Sequence, residues 1–86
     1  MHELSLAVEV CRIVAETVGA GRLPAVVEVG LEVGDRSGIE VSSLEFCLEA
    51  ILAAPPFRSA HPVVERVPGM DMRVTWLEVE DDSPPD

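Results

Sequence analysis

Along LSLAVEVCRIVAETVG, positions 4, 7, 8, 11, 14, 15 and 18 are apolar while 5, 9, 12 and 16 are polar. A recurrence of about 3.6 residues with a wide apolar stripe predicts an amphipathic helix. Glu9, Arg12 and Glu16 share its solvent side at i,i+3 and i,i+4 spacing, which suits a solvated charge ladder. Gly19, Gly21 and Pro24 then stop the helix and turn the chain. The period changes to two in AVVEVGLEVG, which puts Val27, Val29, Leu31 and Val33 on one face and Val26, Glu28, Gly30 and Glu32 on the other, the pattern of a half-buried strand.

After the loop GDRSG, the stretch IEVSSLEFCLEAILAA returns to helical spacing with Leu44, Cys47, Leu48 and Ile51 as its stripe. Ser42 followed by Glu45 reads as a capping box at its start, and Pro55 and Pro56 end it. Two strand-like runs follow. In HPVVERV, Pro62 is tolerable at a strand start or on an edge. In MDMRVTWLEV, Met72, Val74 and Trp76 alternate with Arg73, Thr75 and Leu77, the former set facing the core.

The predicted order is α-β-α-β-β. A helical crossover joins the first two strands, so they are expected to be parallel, with the third antiparallel to a neighbour. The fold class is therefore α+β: a three-stranded mixed sheet with two α-helices packed on one face. Residues 1–80 form one domain, and the polar stretch at residues 81–86 is expected to be a disordered acidic tail. Val67-Pro68-Gly69-Met70 suits a type II turn, which twists against the strands of a two-residue hairpin, so the junction of the last two strands looks serviceable rather than ideal.

Composition narrows what such a domain can do. With 86 residues, a core of two layers is the limit and a large cleft is excluded. A net charge of −10 argues against nucleic acid or an anionic membrane and favours a cationic partner. The two cysteines, Cys11 and Cys47, form no C-x-x-C, lie on the apolar faces of the two helices, and read as reduced core thiols. Residues 1–18 lack a basic n-region, charges interrupt every apolar run, and no run approaches the ~18–20 residues that span a bilayer. A cytoplasmic protein is expected. His2 is a large second residue, so the mature chain is expected to retain Met1.

Candidate chemistry sits at that terminus. The α-amine of Met1, the His2 amide and imidazole, and the Glu3 amide are donors without helical commitments, because the first amides of a helix have no intrahelical acceptor. The helix dipole disfavours protonation of the amine, with Glu3 offsetting part of this. In-plane nitrogen and oxygen donors suit Ni(II) or Cu(II) better than tetrahedral Zn(II). His2 cannot complete a square plane with the terminus alone: its imidazole and amide leave room for the amine or the Glu3 amide, and one equatorial place remains. Glu40, just ahead of the second helix, is the best candidate to fill it if the two helix N-termini lie side by side.

With these residues in view, MHELSLA, VVEVGLEVG, GDRSGIEVSSLEFCLEA and MRVTWLEVE together resemble the HypA family, nickel metallochaperones of [NiFe]-hydrogenase maturation, over most of residues 1–80. The resemblance implies a Ni(II) site of Met1, His2 and Glu3, His2 foremost, and matches Glu40 to a position where a family carboxylate has been placed near the metal. It implies the hydrogenase large subunit as acceptor and a HypB-like GTPase as co-chaperone, and leaves a homodimer open. The family also inserts a zinc ribbon with two C-x-x-C pairs between its second and third strands, where this chain has only VPG. No structural zinc is expected here.

Other candidates read as structural. His61 at a strand start is a surface residue, and Met70 and Met72 are weak thioether candidates, Met72 fitting the buried face. No nucleophile arrangement, P-loop or carboxylate pair near a pocket is present, so no enzyme is expected. The competing function is a metal-free interaction module that docks through helix 1 on a hydrogenase or its maturation factors.

Overall fold

In a computed structural model that describes residues 3–80, the elements follow the order α1 (Glu3–Val18), β1 (Val26–Gly34), α2 (Val41–Leu52), β2 (His61–Val67) and β3 (Met72–Val79), with a 3-10 turn at Ala20–Ala25 between α1 and β1. This is the expected α+β arrangement. The sheet order is β2-β1-β3, with β1 parallel to β2 and antiparallel to β3. Val29, Leu31 and Val33 of β1 are fully buried against Ala7, Val10 and Val14 of α1 and Leu44, Leu48 and Leu52 of α2. Each such Leu contributes about 1.5–3 kcal/mol of transfer free energy, so this seam carries most of the hydrophobic driving force. Among the described residues, no helix is long and apolar enough to cross a membrane.

Several local assignments change. On α1, the line Ala7-Val10-Val14 takes the core, and Leu4 and Val8 of the expected stripe are 58% and 56% exposed. The helix has more apolar positions than one flank can bury, and the sheet selects among them. On α2, Leu52 joins Leu44 and Leu48 in the core, while Cys47 and Ile51 pack half-buried beside it. Its N-cap is Glu40, whose extended backbone and carboxylate serve the Ser42 amide, so Ser42 lies inside the first turn and the Ser42–Glu45 capping box does not form. The helix ends at the C-cap Ala53, ahead of the two prolines.

Both antiparallel strands change phase. Between Val26↔Val79 and Glu28↔Glu78, Val27 is an extra residue on β1, so Val26 rather than Val27 is fully buried. Between Gly30↔Trp76 and Leu31↔Val74, Thr75 is an extra residue on β3. A bulge reverses the alternation beyond it. Met72 and Val74 pack against the core as expected, but Leu77 and Val79 take the inward places and Trp76 turns outward. Nor is the β2–β3 junction a hairpin: the two strands lie on opposite sides of β1, and residues 68–71 cross over its end. Asp35 and Arg36 amides donate to the Val67 and Gly69 carbonyls at 2.7 and 2.8 Å, and the Gly34 amide to the Asp71 carbonyl at 2.8 Å. Pro62 lies near the start of an edge strand, where a missing amide is tolerated.

Candidate metal centre

Helices α1 and α2 pack against each other, and their N-termini meet. The Glu40 backbone amide donates to Glu3 Oε2 at 3.2 Å across 37 residues of sequence. This amide precedes α2 and has no intrahelical acceptor, so the Glu3 carboxylate satisfies a donor that would otherwise face water. The acid at the start of one helix thus also sits on the positive end of its neighbour.

Glu40 uses its own carboxylate at the same place. Its Oε1 accepts from the Ser42 amide at 3.2 Å and from the Ser42 hydroxyl. These bonds, the hydroxyl foremost, hold the Glu40 carboxyl below the ordinary carboxylate value; partial desolvation opposes them and the positive charge of Arg66 adds to them. Glu40 is exposed, Glu3 half-buried. Glu40 Oε2 and Glu3 Oε1 accept no hydrogen bond among the described residues. Two carboxylate oxygens are therefore uncommitted where the chain enters α1, a hard, anionic donor set with access to solvent.

Of the four residues singled out from the sequence, the structure brings Glu3 and Glu40 together; Met1 and His2 lie outside the described residues. Among the described residues, no group of three or more His, Cys, Asp or Glu side chains could hold a metal ion. Any site here would need donors from residues 1 and 2. Cys11 and Cys47 are half-buried, free and packed against the core, and burial pushes the Cys11 thiol up. His61 and Met70 are exposed, and Met72 is half-buried. The Glu3-to-Glu40 amide bond leaves one mark in the sequence, an acid at the start of each helix.

The comparisons with known proteins are consistent in direction. The family described as "Hydrogenase/urease nickel incorporation, metallochaperone, hypA" matches residues 1–75. A hydrogenase maturation factor HypA of Geobacter metallireducens is 41% identical over 69 residues, covering 80% of this chain and 60% of that protein. Hydrogenase maturation factors HypA of Azotobacter chroococcum and Streptomyces avermitilis are 35% and 40% identical, each over 80% of this chain and 61% and 53% of their own lengths. The chain spans about 60% of the length of the first of these relatives. Its β2–β3 connection holds no cysteine, and its two cysteines sit on helices, so the ribbon that the family inserts between those strands is not present there. On the match across residues 1–75 and identities of this order, the chain belongs to the HypA family, a variant without the zinc ribbon.

Proposed function

We propose that the chain carries Ni(II) as cargo at its N-terminus, with His2 as the principal ligand, the Met1 amine and Glu3 beside it, and Glu40 as the carboxylate from the second helix. The observation that supports this is the bond from the Glu40 amide to Glu3, which joins the entry of α1 to the cap of α2. A carrier gains from such a place. Donors at a chain end can be exchanged one at a time by an acceptor, so release does not require the core to open. The acceptor proposed is the large subunit of a [NiFe]-hydrogenase, with a HypB-like GTPase assisting, in the cytoplasm; the protein acts as a carrier rather than a catalyst.

The test is a Ni(II) titration of untagged protein beginning at Met1, followed by visible absorption. One-to-one binding with a square-planar spectrum is expected, abolished in His2→Ala. Glu40→Ser separates ligation from capping, because serine still caps a helix; about ten-fold weaker binding with an unchanged fold is expected. Equal affinity in wild type and His2→Ala would refute nickel carriage at this terminus.

A second reading is favoured by the exposure of Leu4 and Val8, one turn apart on α1. In it the chain docks through this flank on a hydrogenase or a maturation factor without metal. Leu4→Ser with Val8→Ser would then abolish partner binding, whereas His2→Ala would leave it intact.

A further inference from the structure

Because paired residues of neighbouring strands share a face, the register places Glu28 and Glu32 of β1, His61 and Glu65 of β2, and Arg73, Trp76 and Glu78 of β3 on the side of the sheet turned away from both helices. Two features of this face are costly to the fold alone. Glu28 stands directly opposite Glu78, and Glu32 directly opposite Glu65. Like charges in directly opposed positions destabilise a sheet. Glu32 is relieved by Arg73, whose Nη2 lies 2.9 Å from its Oε1. Neither Glu28 nor Glu78 forms an ion pair among the described residues, and the group opposite Glu28 on β2 is the His61 imidazole, neutral at pH 7 in the formal charge count.

Beside that uncompensated pair lies the single tryptophan. The Trp76 ring lies over Gly30, where a Cβ would come within 2.1 Å of Cδ2, and its Nε1 donates to Glu28 Oε2 at 2.8 Å. The ring is thus held flat and oriented while remaining 36% exposed. Trp76 and Glu78 are two apart on one strand, and Glu28 is across from Glu78, so a fixed aromatic plane and two carboxylates converge. A guanidinium matches both parts: it stacks on an aromatic plane and donates a planar fork to a carboxylate.

We propose that this bare sheet face docks an arginine-bearing segment of a protein partner, with a guanidinium stacked on Trp76 and bonded to Glu78 and Glu28. Charge selects this occupant. The face carries four carboxylates against one guanidinium and one imidazole, on a chain of net charge −10 with His neutral, so a second copy of the chain is repelled and a cationic segment is drawn in. The arriving cation supplies the compensation that the Glu28–Glu78 pair lacks.

The probe is a short capped peptide carrying two arginines separated by glycines, with its citrulline counterpart as the neutral control. Binding is followed by Trp76 fluorescence and by backbone amide shifts. Saturable binding that moves the amides of Glu28, Trp76 and Glu78 and weakens with salt is expected for the arginine peptide alone. Glu78→Gln should weaken it about five-fold and at the same time raise Tm, since it removes the like-charge pair; Trp76→Phe should weaken it as well. Glu49→Gln, on α2, should change nothing. Equal binding of the citrulline peptide, equal weakening by Glu49→Gln, or unaltered affinity in Glu78→Gln would each overturn the proposal.

Discussion

Gly30 shows how much one missing side chain can set. A Cβ there would stand 2.1–2.4 Å from three atoms of the Trp76 ring, too close for any side chain to coexist with it. The indole covers the backbone that the glycine leaves bare, a packing that protects an otherwise exposed stretch of sheet. The ring is partly exposed, so Gly30→Ala is expected to push it aside rather than unfold the protein. A loss of about 1–3 kcal/mol in urea denaturation, with a red-shifted tryptophan emission, is expected. An unchanged emission maximum would show that the ring does not rest on Gly30. The sequence shows Trp76 and Gly30 plainly but not their contact, which depends on Thr75 standing as an extra residue between Trp76 and Val74. Glu40 makes a parallel case: it was singled out as a possible ligand, and the structure shows it also capping α2, two uses of one carboxylate that spacing alone does not separate.

Helix α1 was recognisable from its period, yet the flank it buries was not, because apolar residues occupy more than half its circumference and only the sheet selects Ala7, Val10 and Val14. Its solvent side behaves as the spacing implies. Arg12 Nε donates to Glu9 Oε1 at 3.0 Å and the guanidinium also pairs with Glu16. The bond from Arg12 is the main cause that lowers the Glu9 carboxyl pKa in the folded state. A depressed folded pKa contributes stability above the unfolded value and loses it as the pH falls through the folded one. Arg12→Gln is therefore expected to lower Tm slightly at neutral pH. The difference should vanish in acid below the carboxylate range and shrink in high salt, since all three groups are largely exposed. A difference that persists in acid would assign the effect to packing of the arginine stem instead. The strands gave the opposite lesson. Their alternation identified them, but each of the two bulges turns part of a strand over, moving Val26 and Leu77 inward and Trp76 outward.

The connectivity of the whole domain rests on the short path at 68–71, which carries the chain from one edge of the sheet to the other across the end of β1. Gly34 makes that crossing possible. A Cβ there would lie 2.4 Å from the Gly69 carbonyl oxygen and 2.5 Å from its carbon, and this backbone is held by the Asp35 and Arg36 amides and by the Asp35 carboxylate, which accepts from the Gly69 amide at 3.1 Å. Backbone tied in this way cannot yield as a side chain can. Gly34→Ala is expected to cost about 3 kcal/mol, more than Gly30→Ala, read as a lower urea midpoint at unchanged slope. For a small domain whose total stability is about 5 kcal/mol, that leaves little margin. A hairpin between β2 and β3 would have made Gly34 replaceable, so the same experiment discriminates the two topologies.

Local periodicity and donor chemistry were present in the chain from the start. Residues repeating every third or fourth position, or every second, can bury a face only as helix or strand, so the elements, their order and the parallel pairing of β1 with β2 follow from the amino-acid order alone. The nitrogen and oxygen donors of the first three residues are likewise a property of covalent order. Phase and proximity are different in kind. Which apolar flank is buried, where a strand flips, that β1 lies between β2 and β3, and that Glu40 donates its amide to Glu3 all depend on contacts between residues far apart in sequence. Those contacts form only when the layers pack, because the free energy that selects them is the burial of the common core and not the preference of any single segment.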